Sequence, residues 1–204
     1  LSEREAPPSP RRRPMRADAR RNRDLLVETA AAAFSAEGVD TSLEAIARTA
    51  GLGIGTLYRH FPTREALIEV VYRREIEALR EAALHLARTE PADVALAQWM
   101  QRFVDYIATK RGMSDSLKLM YESNSPLFAE TSGVIPLALK SLVDGAVAAG
   151  AIRADADSVD VLHALSSIYS TSDRPEWRER SRRLVALLMD GLRYGAPGIG
   201  PPKT

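Results

Sequence analysis

Apolar positions recur three and four residues apart along most of the chain, and strict apolar–polar alternation is scarce. That spacing collects side chains on one face of a helix, whereas alternation would mark a strand. The expectation is an all-α chain of about nine helices. Leu26, Ala30, Ala33 and Phe34 make one stripe, so a first helix is expected over about 19–37, ended by Gly38, with Phe34 in the core. Two short helices then fall within 41–61. Thr41 and Glu44 have the Thr-x-x-Glu spacing of a capping box, and Ile46, Ala47 and Ala50 supply a small apolar face. Gly51 suits the left-handed residue that ends a helix, Leu52 can plug the gap, and Gly53 is an acceptable N-cap for the next helix. There Leu57 and Phe61 should face inward. Ile54, Gly55, Thr56, Tyr58, Arg59 and His60 should point outward or along the rim.

Thr63 is a good N-cap for a long helix to about 88, with Leu67, Val70, Val71, Ile76, Leu79, Ala83 and Leu86 on its apolar face. Further helices are expected over about 91–110, 113–121, 130–149, 156–169 and 175–194, with Asp155 as a candidate cap. Pro136 would kink its helix or lie in the first turn. The segment 123–126 reads as a loop, 171–173 as another, and 196–204 as a flexible tail.

Composition narrows the classes. The chain has 204 residues, 28 Lys and Arg against 27 Asp and Glu, and no cysteine. Disulfides, a thiolate nucleophile and a cysteine metal site are therefore excluded, and a reducing cytoplasm fits. No apolar run approaches the roughly 18 residues of a membrane span, so no membrane partner is expected. Charge distribution matters more than its sum. Residues 1–17 are rich in proline and arginine, a composition expected to be disordered. Arg11, Arg12, Arg13, Arg16, Arg20, Arg21 and Arg23 form a basic arm that either follows phosphates or is a solvated tail. With three histidines, no His-Glu-x-x-His and no phosphate loop, the chain is expected not to be an enzyme, and neither a metal nor a cofactor is expected. Gly51, Gly53 and Gly55 lack the strand and spacing of a dinucleotide fingerprint.

Two short helices around a glycine turn, the second with small residues first and polar, aromatic and basic ones behind, suit a DNA major groove. Ala50-Gly51-Leu52, Gly55-Thr56-Leu57-Tyr58, His60-Phe61-Pro62 and Arg64-Glu65-Ala66-Leu67, with Ala30, Phe34 and Gly38 upstream, resemble the DNA-binding domain of the tetracycline-repressor (TetR) family of bacterial regulators over roughly 20–70. Gly53 stands where the family often has serine, and Ile54 where polar residues are frequent. The resemblance implies a helix-turn-helix domain over 18–65 and an effector-binding and dimerisation domain over 66–195. It makes Ser42, Thr56, Tyr58, His60 and Arg64 candidates for phosphate contacts, with Thr41 beside them at the interface. Ile54, Gly55 and Arg59 lie nearest the base edges, and of these only Arg59 could read guanine bidentately. Arg64 could equally face solvent and pair with Glu65 or Glu69.

The resemblance also implies a pocket for a small, often apolar effector. Its candidate lining is Trp99, Met100, Phe103, Tyr106, Met120, Tyr121 and Phe128, with His163 as a polar group inside it; each could instead be ordinary core. Leu162, Leu165 and Ile168 on one late helix, and Leu184, Leu187 and Leu188 on the other, are expected at a homodimer interface or against their own subunit. The expected partners are a palindromic double-stranded DNA operator, a small-molecule effector and a second copy of the chain. The expected outcome is repression lifted by the effector. The alternative is a helical protein-interaction module that retained the motif.

Overall fold

The computed structural model describes residues 12–169 and 176–194. Among them are ten α-helices, one 3-10 turn and no strand. The helices are α1 (Arg12–Glu37), α2 (Leu43–Thr49), α3 (Ile54–His60), α4 (Arg64–Thr89), α5 (Ala92–Arg111), α6 (Ser114–Glu122), α7 (Pro126–Thr131), α8 (Val134–Ala148), α9 (Ser158–Tyr169) and α10 (Trp177–Arg193). The short α7 was not expected. Ser125 caps it by accepting from the Leu127 amide, and Pro126 sits at its start, where a missing N–H breaks no helical bond.

α1 starts well before the expected position, so the expectation of a disordered arm is corrected for residues 12–17. Pro14 falls in the first turn and is compatible with it. The remainder of that arm, the 171–173 loop and the 196–204 tail lie outside the described residues. Pro126–Ala148 contains an 18-residue window with a mean hydropathy of 1.2, longer than any apolar run anticipated from the sequence. It is divided at Gly133, whose φ of 81° separates α7 from α8. Pro136 then lies in the first turn of α8, where a missing N–H breaks no helical bond.

α4 is the axis of the molecule. Its 26 residues span about 39 Å at 1.5 Å per residue and pack against α1, α5, α6, α7 and α8. Leu67, Ile68 and Val71 near its start are fully buried against the first three helices' core, and Leu79, Ala83 and Leu86 carry the same face into the rest of the chain. Thr63 caps it, accepting from the Ala66 amide at 3.1 Å. α5 closes on α1 at Gly112. A Cβ there would lie 2.0 Å from the Phe34 carbonyl oxygen, so only glycine permits this approach.

Candidate nucleic-acid interface

Ser42, not Thr41, caps α2: its hydroxyl accepts from the Ala45 amide at 3.0 Å. Thr41 is 1 % exposed, and its hydroxyl donates to the carbonyls of Gly38 and Ala33. It is therefore corrected from a DNA-facing residue to a buried brace between α1 and α2. At the far end of α2 the Leu52 amide donates to Ala47 O and the Gly51 amide to Arg48 O, with Gly51 at φ 68°. These paired bonds form a Schellman stop, which turns the chain sharply and sets Leu52 against the core. Gly53 then caps α3 through its backbone, its carbonyl accepting from Thr56 and Leu57.

α3 is seven residues long and could not persist in isolation. Leu57 at 0 % and Phe61 at 1 % exposure anchor it, as the pattern predicted. Arg23 of α1 covers the Phe61 ring at 5.3 Å, so this arginine of the arm is turned inward. Gly55, Tyr58 and Arg59 are exposed on the opposite side, with Thr56 and His60 half-buried at the rim. Ile54 is also half-buried and packs on the core, leaving only part of its side chain to face outward. Ser42 is exposed at the start of α2, as is Arg48 near its end, a cation the sequence reading did not single out.

Arg64 does not face outward. Its guanidinium donates to Thr41 O at 2.5 Å and lies 5.2 Å over the Phe34 ring. The expectation of a phosphate contact is corrected: this side chain ties the start of α4 to α1 and to the entry of α2.

Five of the eight expected effector residues, Trp99, Met100, Phe103, Tyr106 and Met120, are buried in the core, and Phe128 packs half-buried against it. Trp99 and Phe103 stack at 5.7 Å, Phe103 meets Tyr106 at 5.5 Å, and Tyr72 links Tyr106 to Phe128. Trp99 is fully buried and donates to Leu79 O at 2.9 Å; Met100 and Met120 are buried beside this chain of rings. Burial holds the Tyr106 phenol well above its ordinary pKa, and its hydroxyl is 3.5 Å from that of Tyr72. Tyr121, at 69 % exposure, meets Phe128 edge-on at 5.5 Å. His163 is exposed, which corrects its placement inside a pocket.

Two cavities of the helical part are lined by other residues. One of about 420 Å³ lies among α5, α6 and α9, and another of about 250 Å³ between α4 and α8. Neither was legible in the sequence, because each is assembled from segments far apart in the chain. Of the expected dimer residues, Leu165 is fully buried within the protomer and is corrected to core. Leu187 is 65 % exposed, and Leu162, Ile168, Leu184 and Leu188 are half-buried. α10 is fastened to α5 by Arg193–Asp93 at 2.7 Å and Arg182–Asp105 at 2.8 Å, and to α1 by Arg178 donating to Ser35 O and Oγ.

A three-helix N-terminal unit with an outward seven-residue helix behind a glycine turn, joined by one long helix to a larger helical part, defines a helix-turn-helix protein of the regulator type. Residues 26–71 match the family described as bacterial regulatory proteins, tetR family, and residues 90–194 match the SbtR-like transcriptional regulator C-terminal domain. The chain belongs to the TetR family. A TetR transcriptional regulator from Streptomyces coelicolor is 46 % identical, with 84 % of this chain and 98 % of that one covered at a TM-score of 0.74. One from Mycobacterium vanbaalenii is 33 % identical, with 88 % and 99 % covered at a TM-score of 0.67. An HTH-type transcriptional regulator of Staphylococcus aureus (strain USA300) is 42 % identical over 64 residues, which are 31 % of this chain and 35 % of that protein.

Proposed function

We propose that the chain is a ligand-responsive, DNA-binding transcriptional regulator of the cytoplasm, a repressor that a small, largely apolar effector releases from a palindromic operator. The observation that carries the reading is the outer face of α3. Gly55, Tyr58 and Arg59 stand exposed there, while Leu57 and Phe61 lock the other side to the core. Ser42, Thr56, Tyr58 and His60 are the proposed phosphate contacts; Ile54, Gly55 and Arg59 approach the bases.

A palindrome needs a two-fold protein, with recognition helices about 34 Å apart for successive turns of DNA. The exposed apolar surface of α9 and α10 supports a homodimer. Val159 and Leu187 are 57 % and 65 % exposed, and Leu162, Ile168, Leu184 and Leu188 lie half-buried on the same helices. The effector acts by binding one dimer shape better than the other, and its maximum effect is that difference in affinity. No catalytic role is proposed.

The test is duplex binding by wild type and Arg59→Ala across an operator variant set. Arg59→Ala is expected to relax base preference at one position per half-site, at a cost of about 1–3 kcal/mol. An unchanged preference removes Arg59 as a reader. Binding that does not weaken as salt rises would replace the DNA-binding reading with that of a protein-interaction module.

A further inference from the structure

This inference rests on the reading that the chain answers to a small molecule, and it concerns which kind. The cavity of about 420 Å³ among the end of α5, the start of α6 and α9 is in the size range of small-molecule sites. Its apolar part is Ile107 and Leu117, the latter 5 % exposed. Around it stand Lys110, Arg111 and Lys118, with Ser114 and Ser166; no carboxylate is among the lining residues, and the neighbouring Asp115 accepts from the Ser114 hydroxyl at 3.5 Å. Arg111 is held with its guanidinium 4.8 Å over the Trp177 ring. No carboxylate among the described residues pairs with Lys110 or Lys118, whereas Lys140 pairs with Asp144 and Arg80 with Glu77. Lys110 and Arg111 lie in the last turn of α5, where the helix dipole favours cations; Lys118, inside α6, has no such reason.

The groove between α4 and α8 is as apolar, with Leu84 and Leu137 exposed, but its one cation, Arg80, is already paired. It offers nothing to a charged headgroup and serves as a control.

We infer that the cavity among α5, α6 and α9 binds an amphipathic monoanion, a carboxylate headgroup on an apolar body, with Lys110 and Lys118 taking the headgroup and Ile107 and Leu117 the body. The same cavity adjoins two of the points where the helical part touches α1. Arg111 precedes Gly112, which abuts the Phe34 carbonyl, and Trp177 precedes Arg178, which holds Ser35. An anion drawn between α5 and α6 bears directly on the 111–113 turn. The occupant's signal thus reaches the DNA-binding helices through α1.

Decanoate, decanol and decyltrimethylammonium, each below its micelle concentration, would be titrated into the full chain by calorimetry and thermal melting. Decanoate is expected to bind and raise the melting temperature, with the other two weaker by about tenfold or more, the effect of losing a charge-assisted hydrogen bond. The double variant Lys110→Gln/Lys118→Gln changes exposed side chains only and should melt within a few degrees of wild type without ligand, the small fall reflecting the cation lost from the end of α5, yet lose decanoate affinity by a similar factor. Leu84→Gln should leave it unchanged. Equal binding of the three headgroups, full affinity in the lysine variant, or loss on Leu84→Gln would each overturn the inference. Binding is read on the free protein, so its failure is separate from any failure of DNA binding. A decanoate-loaded protein that keeps full operator affinity would overturn the coupling through α1.

Discussion

Replacing Gly112 with alanine strikes the joint between the DNA-binding helices and the rest of the chain. The added Cβ would meet three backbone atoms of Phe34: the carbonyl oxygen at 2.0 Å, the carbonyl carbon at 2.6 Å and Cα at 2.9 Å. Ordinary contact begins near 3.4 Å, so α5 and α1 must part by about 1.4 Å. None of the obstructing atoms belongs to a side chain that can rotate away. Overpacking of this kind costs about 1–3 kcal/mol, and a backbone obstacle belongs at the upper end. In a chain of this size each kcal/mol moves the melting temperature by about 2–4 °C, so a fall of roughly 4–12 °C is expected. The matched control is Gly145→Ala on the exposed side of α8, where an added Cβ meets nothing within 4 Å. Relief of a helical glycine there should raise stability by up to about 1 kcal/mol. Thermal melts of the two variants beside wild type provide the assay. If Gly112→Ala melts with wild type or with Gly145→Ala, α1 and α5 are not in this contact.

Three further outcomes are expected. Arg64→Ala should lose about 1–3 kcal/mol, because it deprives Thr41 O of its guanidinium and Phe34 of its cover, while the salt dependence of DNA binding stays unchanged; a shallower salt slope would show that Arg64 reaches a phosphate after all. Gly55→Ala should stabilise α3 by up to about 1 kcal/mol, since nothing lies within 4 Å of the new Cβ, and should weaken operator binding if duplex approaches there; unchanged affinity would remove Gly55 from the interface. Burial between α4 and α5 raises the pKa of Glu75 against the opposing effects of Arg74 and the Thr109 hydrogen bond. A raised folded-state pKa means that the contribution is present below the ordinary carboxylate range and lost as pH rises through the folded value. Glu75→Gln should therefore melt above wild type at neutral pH, with the gap closing toward pH about 4; a gap that widens on acidification would contradict the assignment.

What could be read from the sequence follows from how local the determinant is. The stop at Gly51, the cap at Thr63 and the inward Leu57 and Phe61 depend on residues within a turn or two of one another, and the structure has each of them. The cap of α2 was ambiguous because Thr41 and Ser42 both suit that position, and only burial of Thr41 against α1 decides it. Asp157, not Asp155, caps α9, accepting from the Val159 and Asp160 amides; Asp155 pairs with Arg153 instead. Periodicity marked the aromatic residues of 99–128 as inward but could not say whether they face a pocket or one another; most of them pack together. Arg64 resembled a phosphate ligand in sequence, while its partners, Thr41 and Phe34, are 23 and 30 positions away. The cavity of Lys110, Lys118 and Ser166 is likewise a product of the tertiary fold.

The central claim is sequence-specific binding of DNA by a two-fold protein through α3. Its most direct test is selection of bound duplexes from a random pool by the purified full chain at near-physiological salt, with Arg59→Ala in parallel. The account predicts recovery of a palindrome whose half-sites lie about one helical turn apart, with relaxed preference at one position of each half-site for the variant. Failure of the folded protein to enrich any sequence, with and without decanoate, would contradict it.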